Sequence, residues 1–490
     1  MTLRKVLVAN RGEIACRIMR TLRSQNIPSA GVYHFEDRAA PHTALADENV
    51  QLEAETPGAA YLDASQLIEA ARRSGADSIH PGYGFLSENA SFAQRVVEAG
   101  LVFIGPDPET IRLMGDKISA RRFAIEHGVP VAPSVTLDAD VDHFSAAAEE
   151  IGFPLLIKAA AGGGGKGMRI VRSAAELDES ARIAASEARR YFGDGRVYAE
   201  RYIEQPRHIE VQVLGDGLGG VVHLYERECS LQRRYQKIIE ESPAPNLPSR
   251  TRAAICAAAV RLASAARYRN AGTVEFILAP DGEFYFLEMN TRLQVEHPVT
   301  ECVLGIDLVL EQLRIAAGAG LSFDQGAIEP NGHAIECRIC AEEPEHDFRP
   351  AVGRIGVLRV PEGPNIRFDG GIREGQAITP AFDPMLAKLV VRGDTRDAAV
   401  HELQRALRAM VLLGVPTNID YLARVAGHSE FAAGHLHTGF LTLHASSLAP
   451  VLRAEAAHAA AMAALLADDD FRRAAFDVPE LHAAIGNWRN

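Results

Sequence analysis

The 490-residue sequence predicts a multidomain protein, α/β at its N-terminus and α+β beyond, on three observations. Residues 3 to about 113 alternate strand-like and helix-like stretches ("KVLVAN", "GEIACRIMRTLRSQ", "SAGVYHF", "ASQLIEAARRSG"), the rhythm of a parallel sheet wrapped by helices and so of a Rossmann-like unit. From Phe153 the order becomes strand, glycine loop, strand, and residues 330 to 446 are β-rich with many turns. At roughly 100 to 200 residues per domain, this length allows two to four domains. The expected divisions are 1–113, 114–329, 330–446 and a tail, 447–490.

Composition narrows the function classes. Hydrophobic residues at 47% and charged ones at 23% are ordinary for a globular chain, which excludes disordered and collagen-like classes. A formal charge of −13 argues against broad nucleic-acid binding, which needs basic surfaces. The six cysteines are scattered, the N-terminus lacks a long apolar h-region, and no apolar run reaches membrane-spanning length. A soluble cytoplasmic protein with no membrane partner is the expectation. Cys337 and Cys340 form a lone C-x-x-C in a strand-like run, better read as packing residues than as half a zinc site.

The elements follow in order. "ANRGEIA" lacks the G-x-G-x-x-G fingerprint, so no nicotinamide or flavin cofactor is expected. "IRLMGDKISARRFAIEHG" reads as helical. In "FPLLIKAAAGGGGKGMRIV", four glycines before Lys166 and Gly167 suit a phosphate cradle, because glycine lets backbone N–H groups approach an anion, and Lys158 puts a cation beside it. It is not a P-loop, since no Ser or Thr follows Gly-Lys and the next run is β-like. "RHIEVQVLGD" alternates His208, Glu210 and Gln212 against Ile209, Val211 and Val213, which by itself reads as a strand with one wet face. "ERECSLQRRYQKIIEESPAP" clusters Arg227, Arg233, Arg234 and Lys237, suiting either a triphosphate or a surface ion-pair network.

"EMNTRLQVEH" continues a hairpin. With Asp281 and Gly282 as a two-residue turn, Glu275 falls directly opposite Glu288, with Asn290 close by. Like charges so placed repel unless a cation lies between them, and hard oxygen ligands suit Mg²⁺ or Mn²⁺. If the strand continues, Glu288, Asn290, Arg292, Gln294 and Glu296 share one face. After Ser446 the chain is alanine-rich and helix-prone.

"VANRGEIACRIMR", "HPGYGFLSEN", "IRLMGDK", "IKAAAGGGGKGM", "RHIEVQVLGD", "ERECSLQRRYQKIIEESPAP", "EFYFLEMNTRLQVEHPVTE" and "GHAIECRICAE" resemble, in this order, the biotin carboxylase family over residues 3 to 446. The resemblance implies an ATP-grasp central domain with a mobile glycine-rich lid between the Rossmann-like and β-rich domains. It implies an ATP-dependent ligase in which MgATP activates bicarbonate as carboxyphosphate, whose CO₂ carboxylates biotin on a biotin carboxyl carrier protein. By resemblance, Glu275, Glu288 and Asn290 are metal ligands. Lys117, Lys158, Gly164, Gly165 and His208 contact the nucleotide, and Glu200, Tyr202 and Ile203 form the adenine edge. Lys237, Arg292, Gln294 and Val295 hold bicarbonate, Glu296 is the general base, and Arg338 stabilises the biotin enolate. Tyr235 stands where many relatives have a histidine.

No lysine is flanked by methionines as a biotin site would be, and no transferase-sized segment remains. Carrier and carboxyltransferase are therefore expected as separate chains, with a homodimer expected from the family. Acetyl-CoA is the expected acceptor, with pyruvate and urea as alternatives. The competing readings are another ATP-grasp ligase, such as a carbamoyl-phosphate synthase half, and a non-catalytic nucleotide-binding subunit.

Overall fold

The structure, a computed structural model, describes residues 3–137, 141–160, 168–451, 462, 463, 465 and 466. The glycine loop with Gly164 and Gly165, and almost all of the tail, lie outside the described residues. Residues 1–445 form one compact unit and the tail from Ser446 another.

Strands β1 (Val6–Val8), β2 (Ser29–Tyr33), β3 (Glu48–Gln51), β4 (Ser78–His80) and β5 (Val102–Phe103) form an all-parallel sheet of order β3-β2-β1-β4-β5. The predicted α/β alternation is borne out. Helix Gly12–Ser24 begins four residues after β1 and buries Ile14, Ala15, Ile18, Met19 and Leu22, spaced by the helical period, in a core shared with Leu308, Val309 and Leu313. Its first turn carries Glu13.

A four-stranded antiparallel sheet follows: β6 (Ser134–Thr136), β7 (Leu155–Ala159), β8 (Arg169–Val171) and β9 (Val197–Arg201), in the order β6-β9-β7-β8. Helix Leu177–Phe192 covers it with Leu177, Ala181, Ala184 and Ala188, a stripe of small residues that lets the helix lie close to Leu155, Ile157 and Ala199.

The third sheet is antiparallel and eight-stranded: β10 (Arg207–Asp216), β11 (Val221–Arg233), β12 (Gln236–Ser242), β13 (Arg269–Leu278), β14 (Phe284–Asn290), β15 (His333–Cys340), β16 (Ile366–Gly370) and β17 (Met385–Gly393). Its order is β14-β13-β10-β11-β12-β15-β17-β16, so one sheet runs across residue 330. Ile209, Val211, Val213, Val274, Phe276 and Met289 pack on Ile255, Ala258, Ala259 and Leu262 of helix Ser249–Ala265. The opposite parity is a correction to the sequence reading. Glu210 and Gln212 are at 0% exposure, so β10 has no wet face; its polar face is buried.

The β13–β14 hairpin also differs from expectation. Ala279 N–H donates to the Glu283 carbonyl (2.8 Å), so the loop is the three residues Pro280, Asp281 and Gly282, with Gly282 at φ 92°. A three-residue loop with a left-handed glycine is a standard hairpin closure. It shifts pairing by one residue, and an irregularity beyond Glu275 and Phe276 leaves Leu287 unpaired and shifts it back. The two offsets cancel, and Glu275 sits opposite Glu288 as expected. The polar column is not one strand: β14 ends at Asn290, residues 291–296 form a loop, and Glu296 is the N-cap position of helix His297–Leu304.

Gly215, near the end of β10, lies against the turn at Tyr268, where an added Cβ would be 2.0 Å from the Tyr268 carbonyl oxygen. Backbone cannot yield as a flexible side chain can. Gly215→Ala is expected to destabilise the protein by about 1–3 kcal/mol, read as a lowered denaturant midpoint.

Candidate active site

One row of the large sheet sets Arg227 (β11), Glu210 (β10), Glu275 (β13) and Glu288 (β14) each opposite the next. Three adjacent carboxylates would repel one another. Cations answer each of them. Arg227, at 0% exposure, donates from Nε to Glu210 (2.5 Å) and from its other nitrogens to Gln212 (2.8 Å), Thr300 (2.9 Å) and Thr273 (3.1 Å). Lys237 Nζ donates to Glu210 (2.5 Å), Glu275 (2.9 Å) and Glu296 (2.7 Å). His208 Nε2 lies 3.0 Å from Glu275, and Lys117 Nζ is 2.7 Å from Glu288.

The titration of these groups follows from that arrangement. Burial alone would lower Lys237, but Glu210, Glu275 and Glu296 outweigh it and hold the ammonium well above its ordinary value. Burial would raise Glu275, yet Lys237 and then His208 hold it well below the usual carboxylate range. Glu296 is likewise lowered, burial being outweighed by Lys237, Arg338 and Arg227.

This face opens on a cavity of about 650 Å³. In its wall Lys158 of β7 bonds Glu200 of β9 (2.5 Å), and Tyr202 and Ile203 follow just after β9. His208, Lys117, Glu275, Glu288 and Asn290 line it too, as do Arg292, Gln294, Val295, Lys237 and Arg338. Tyr235, half exposed, stands on the wall at the tip of the β11–β12 hairpin, where it and Arg234 both take positive φ (65° and 49°) in a two-residue turn. Glu296 is at 0% exposure and lies behind the wall, bonded to Lys237 and to Arg338 Nη2 (3.0 Å).

The expected basic cluster is dispersed. Arg227 points into the sheet, Arg233 pairs with Glu342 (2.8 Å), Arg234 pairs with Asp347, and only Arg233 and Lys237 of the four line the cavity. Arg227 and Lys237 meet on Glu210, while register shifts in β11 between Glu228 and Gln232 and the turn at Arg234 and Tyr235 direct Arg233 and Arg234 to other acids.

The loop 291–296 returns to the site by hydrogen bonds rather than by strand pairing. Arg292 donates to Glu88 (2.7 Å), Gln294 (2.7 Å) and Asn290 (3.0 Å). Gln294 and Asn290 each donate to Glu275 (3.1 and 2.9 Å). Lys388, at 0% exposure, donates to the Val295 carbonyl (2.9 Å). From sequence, Glu210 was noted only on a strand's wet face and Arg227 only in a basic cluster, and Glu88 and Lys388 were not noted at all. "RHIEVQVLGD" and "ERECS" contained the first two, but the pattern that held Glu210 was read as solvated. Glu88 and Lys388 come from distant segments with no spacing signal.

The oxygens of Glu275, Glu288 and Asn290 face one cavity and are hard donors, a set that fits Mg²⁺ or Mn²⁺. Among the described residues, the tightest groups of candidate ligands are His208–Glu210–Glu275 and Glu210–Cys229–Glu296, neither of which includes Glu288. Lys117 and Lys237 occupy the carboxylates from either side.

A paired-carboxylate sheet facing a cavity, with cations along it, suits a site for a phosphorylated ligand held through a divalent cation. Residues 116–323 match the carbamoyl-phosphate synthase L chain ATP-binding domain, residues 2–111 the biotin carboxylase N-terminal domain, and residues 336–443 the biotin carboxylase C-terminal domain. The chain is 47% identical to biotin carboxylase of Nostoc over 438 residues, 89% of this chain and 98% of that one. It belongs to the biotin carboxylase family. It is also 50% identical over 447 residues to the mitochondrial methylcrotonoyl-CoA carboxylase subunit alpha of Oryza sativa, covering 91% of this chain and 61% of that subunit's length. The biotin carboxylase domain dimer of Hydrogenobacter thermophilus 2-oxoglutarate carboxylase, solved with MgADP, ADP and bicarbonate, superposes with a TM-score of 0.89 at 42% identity, covering 92% of this chain and 100% of that one. Biotin carboxylase of Campylobacter jejuni superposes at 0.88, with 41% identity, 90% of this chain and 99% of that one. Among the described residues, no helix is long and apolar enough to cross a membrane.

Glu13 lies on the cavity wall 3.3 Å from Lys388, and burial pushes its carboxyl up from 4.5 to about 7 although Lys388 pulls it down. Between those values the folded chain keeps a proton that the unfolded chain has lost, so this group's contribution to stability falls as pH rises. The denaturant midpoint of Glu13→Gln, relative to the wild type, is therefore expected to rise from pH 4.5 to about 7.

Proposed function

We propose that this chain is a biotin carboxylase component that uses MgATP and bicarbonate to carboxylate biotin carried on another protein. The observation that supports it best is Glu296, buried between Lys237 and Arg338 at the edge of a cavity that also holds Arg292, Gln294 and the opposed pair Glu275 and Glu288. Solved relatives with this fold hold MgADP and bicarbonate.

In this reading the adenine edge is Glu200, Tyr202 and Ile203, and the phosphates meet Lys117, Lys158, His208, Gly164 and Gly165. Glu275, Glu288 and Asn290 hold Mg²⁺. When bound, the cation screens the phosphate charge and orients the γ-phosphoryl group. Lys237 and Arg292, with Gln294 and the Val295 backbone, hold bicarbonate, whose carboxylate-like edge an arginine fork matches. Glu296, ionised at neutral pH by Lys237 and Arg338, takes the bicarbonate proton as the bicarbonate oxygen attacks the γ-phosphorus and ADP leaves. The carboxyphosphate formed breaks to CO₂, which bonds the ureido nitrogen of biotin, and phosphate, which takes that nitrogen's proton. Arg338 then faces the ureido oxygen of biotin, where negative charge develops.

The reading includes functional regions 1–113, 114–329 and 330–446, a homodimer, and a carrier and carboxyltransferase on other chains. The solved domain of 2-oxoglutarate carboxylase is itself a dimer. Acetyl-CoA stands as one acceptor beside methylcrotonoyl-CoA, which the names of several relatives favour, and pyruvate. Fatty-acid synthesis belongs to the acetyl-CoA branch alone. A cytoplasmic location is kept as part of the reading, although several relatives are named mitochondrial.

The test is phosphate release from MgATP by the purified chain with bicarbonate, with and without free biotin. Biotin is expected to stimulate release. Glu296→Ala and Arg338→Ala are each expected to lower biotin-dependent kcat by about 10²-fold or more. Turnover indifferent to biotin would instead favour another ATP-grasp ligase, to which the match over 116–323 also points.

A further inference from the structure

The large sheet holds a second pair of directly opposed acids. Glu240 on β12 faces Glu336 on β15, both at 0% exposure. The two pairs are neutralised differently. Glu275 and Glu288 each accept a hydrogen bond from a lysine. Glu240 accepts one through Oε1 from Arg338 Nε (2.6 Å), while its Oε2 and both oxygens of Glu336 have no partner. Lys388, opposite Arg338 on β17, directs its ammonium to the Val295 carbonyl (2.9 Å) and to Glu13 (3.3 Å). Among the described residues no ion pair reaches Glu336.

Two bare carboxylates side by side, out of water, suffer desolvation and mutual repulsion together. A single proton on Glu336 removes both difficulties. It neutralises one acid and supplies the O–H that the unpartnered Glu240 Oε2 requires.

We propose that Glu336 is a positioning residue that remains a neutral acid at working pH and donates its O–H to Glu240, so that Glu240 fixes the guanidinium of Arg338. Burial raises Glu336 well above its ordinary value against the pull of Lys388, and raises Glu240 to about 7 against that of Arg338. The charged and titratable groups acting on the pair are Cys229 on β11, Lys237 on β12, Cys337 and Arg338 on β15, Lys388 on β17, Glu296, and Cys302 of helix His297–Leu304. With Glu336 neutral, Arg338 meets two anions, Glu240 and Glu296, rather than three. Once Glu296 takes a proton, Glu240 still holds Arg338 through Nε and Nη2 (2.6 Å each), and the guanidinium N–H that had reached Glu296 can turn to a biotin oxygen. This last step rests on the biotin carboxylase reading; the proton on Glu336 does not.

Glu336→Gln and Glu336→Leu test it with two readouts. In the infrared spectrum at neutral pH, the wild type is expected to show the carbonyl stretch of a protonated buried carboxyl that both variants lack; a wild-type spectrum unchanged by either substitution overturns the proposal. In kinetics with free biotin, Glu336→Gln, whose amide N–H replaces the donor, is expected to keep most of the turnover, whereas Glu336→Leu loses about tenfold in kcat. Bicarbonate-dependent ATP hydrolysis without biotin is expected to be equal in the two. Equal biotin-dependent kcat in both variants, or parallel loss of both activities in Glu336→Leu, overturns it. A wild type that shows the band but no biotin stimulation sinks the proposed function and leaves the proton assignment standing.

Discussion

One buried ammonium, Lys237, bonds Glu210, Glu275 and Glu296 at once, and the rest of the site depends on it. Without a cation at that point, three carboxylates would share a space with almost no water, and their repulsion would open the sheet. With it, Glu275 is tied to Glu210 in the sheet and to Glu296 in the loop. Arg227 secures the same knot from below through Glu210, and Lys117 closes the far end at Glu288. A buried ion network of this kind is weak support for stability taken alone, because each charge gives up its hydration. Its worth here is positional: each acid is oriented beside the cavity, and Glu275 and Glu296 are held below the usual carboxylate range.

The architecture explains why such a network can exist. One face of the large sheet packs on helix Ser249–Ala265 through aliphatic and aromatic side chains and holds the strands in place. The other face is then free to carry polar groups over a cavity closed by the Rossmann-like and small sheets. Loop 291–296 brings Arg292, Gln294 and Glu296 back to that face, pinned by Glu88 from the first sheet region and by Lys388 from β17. Residues far apart in sequence thus fix the reactive loop from both sides.

Much of this was legible in the sequence, though not always for the right reason. The opposition of Glu275 and Glu288 followed from an assumed two-residue turn; the real loop has three residues, and the unpaired Leu287 restores the register. The parallel first sheet was plain from its strand and helix alternation. The polar column after Asn290 was misread, because alternation alone does not show where a strand gives way to the loop before the Pro298-bearing helix. Glu210 was misread because alternation gives the period of a strand, not whether its polar face meets water or a neighbouring charge. Glu88 and Lys388 had no local signature; only the folded chain brings them to Arg292 and Val295.

The central claim is that bicarbonate, held by this charge network, attacks the γ-phosphate of ATP directly. Turnover with MgATP, biotin and bicarbonate enriched in heavy oxygen tests it most plainly, by mass spectrometry of the phosphate released. The account predicts that an oxygen from bicarbonate appears in that phosphate. Phosphate carrying only solvent and ATP oxygen would contradict it.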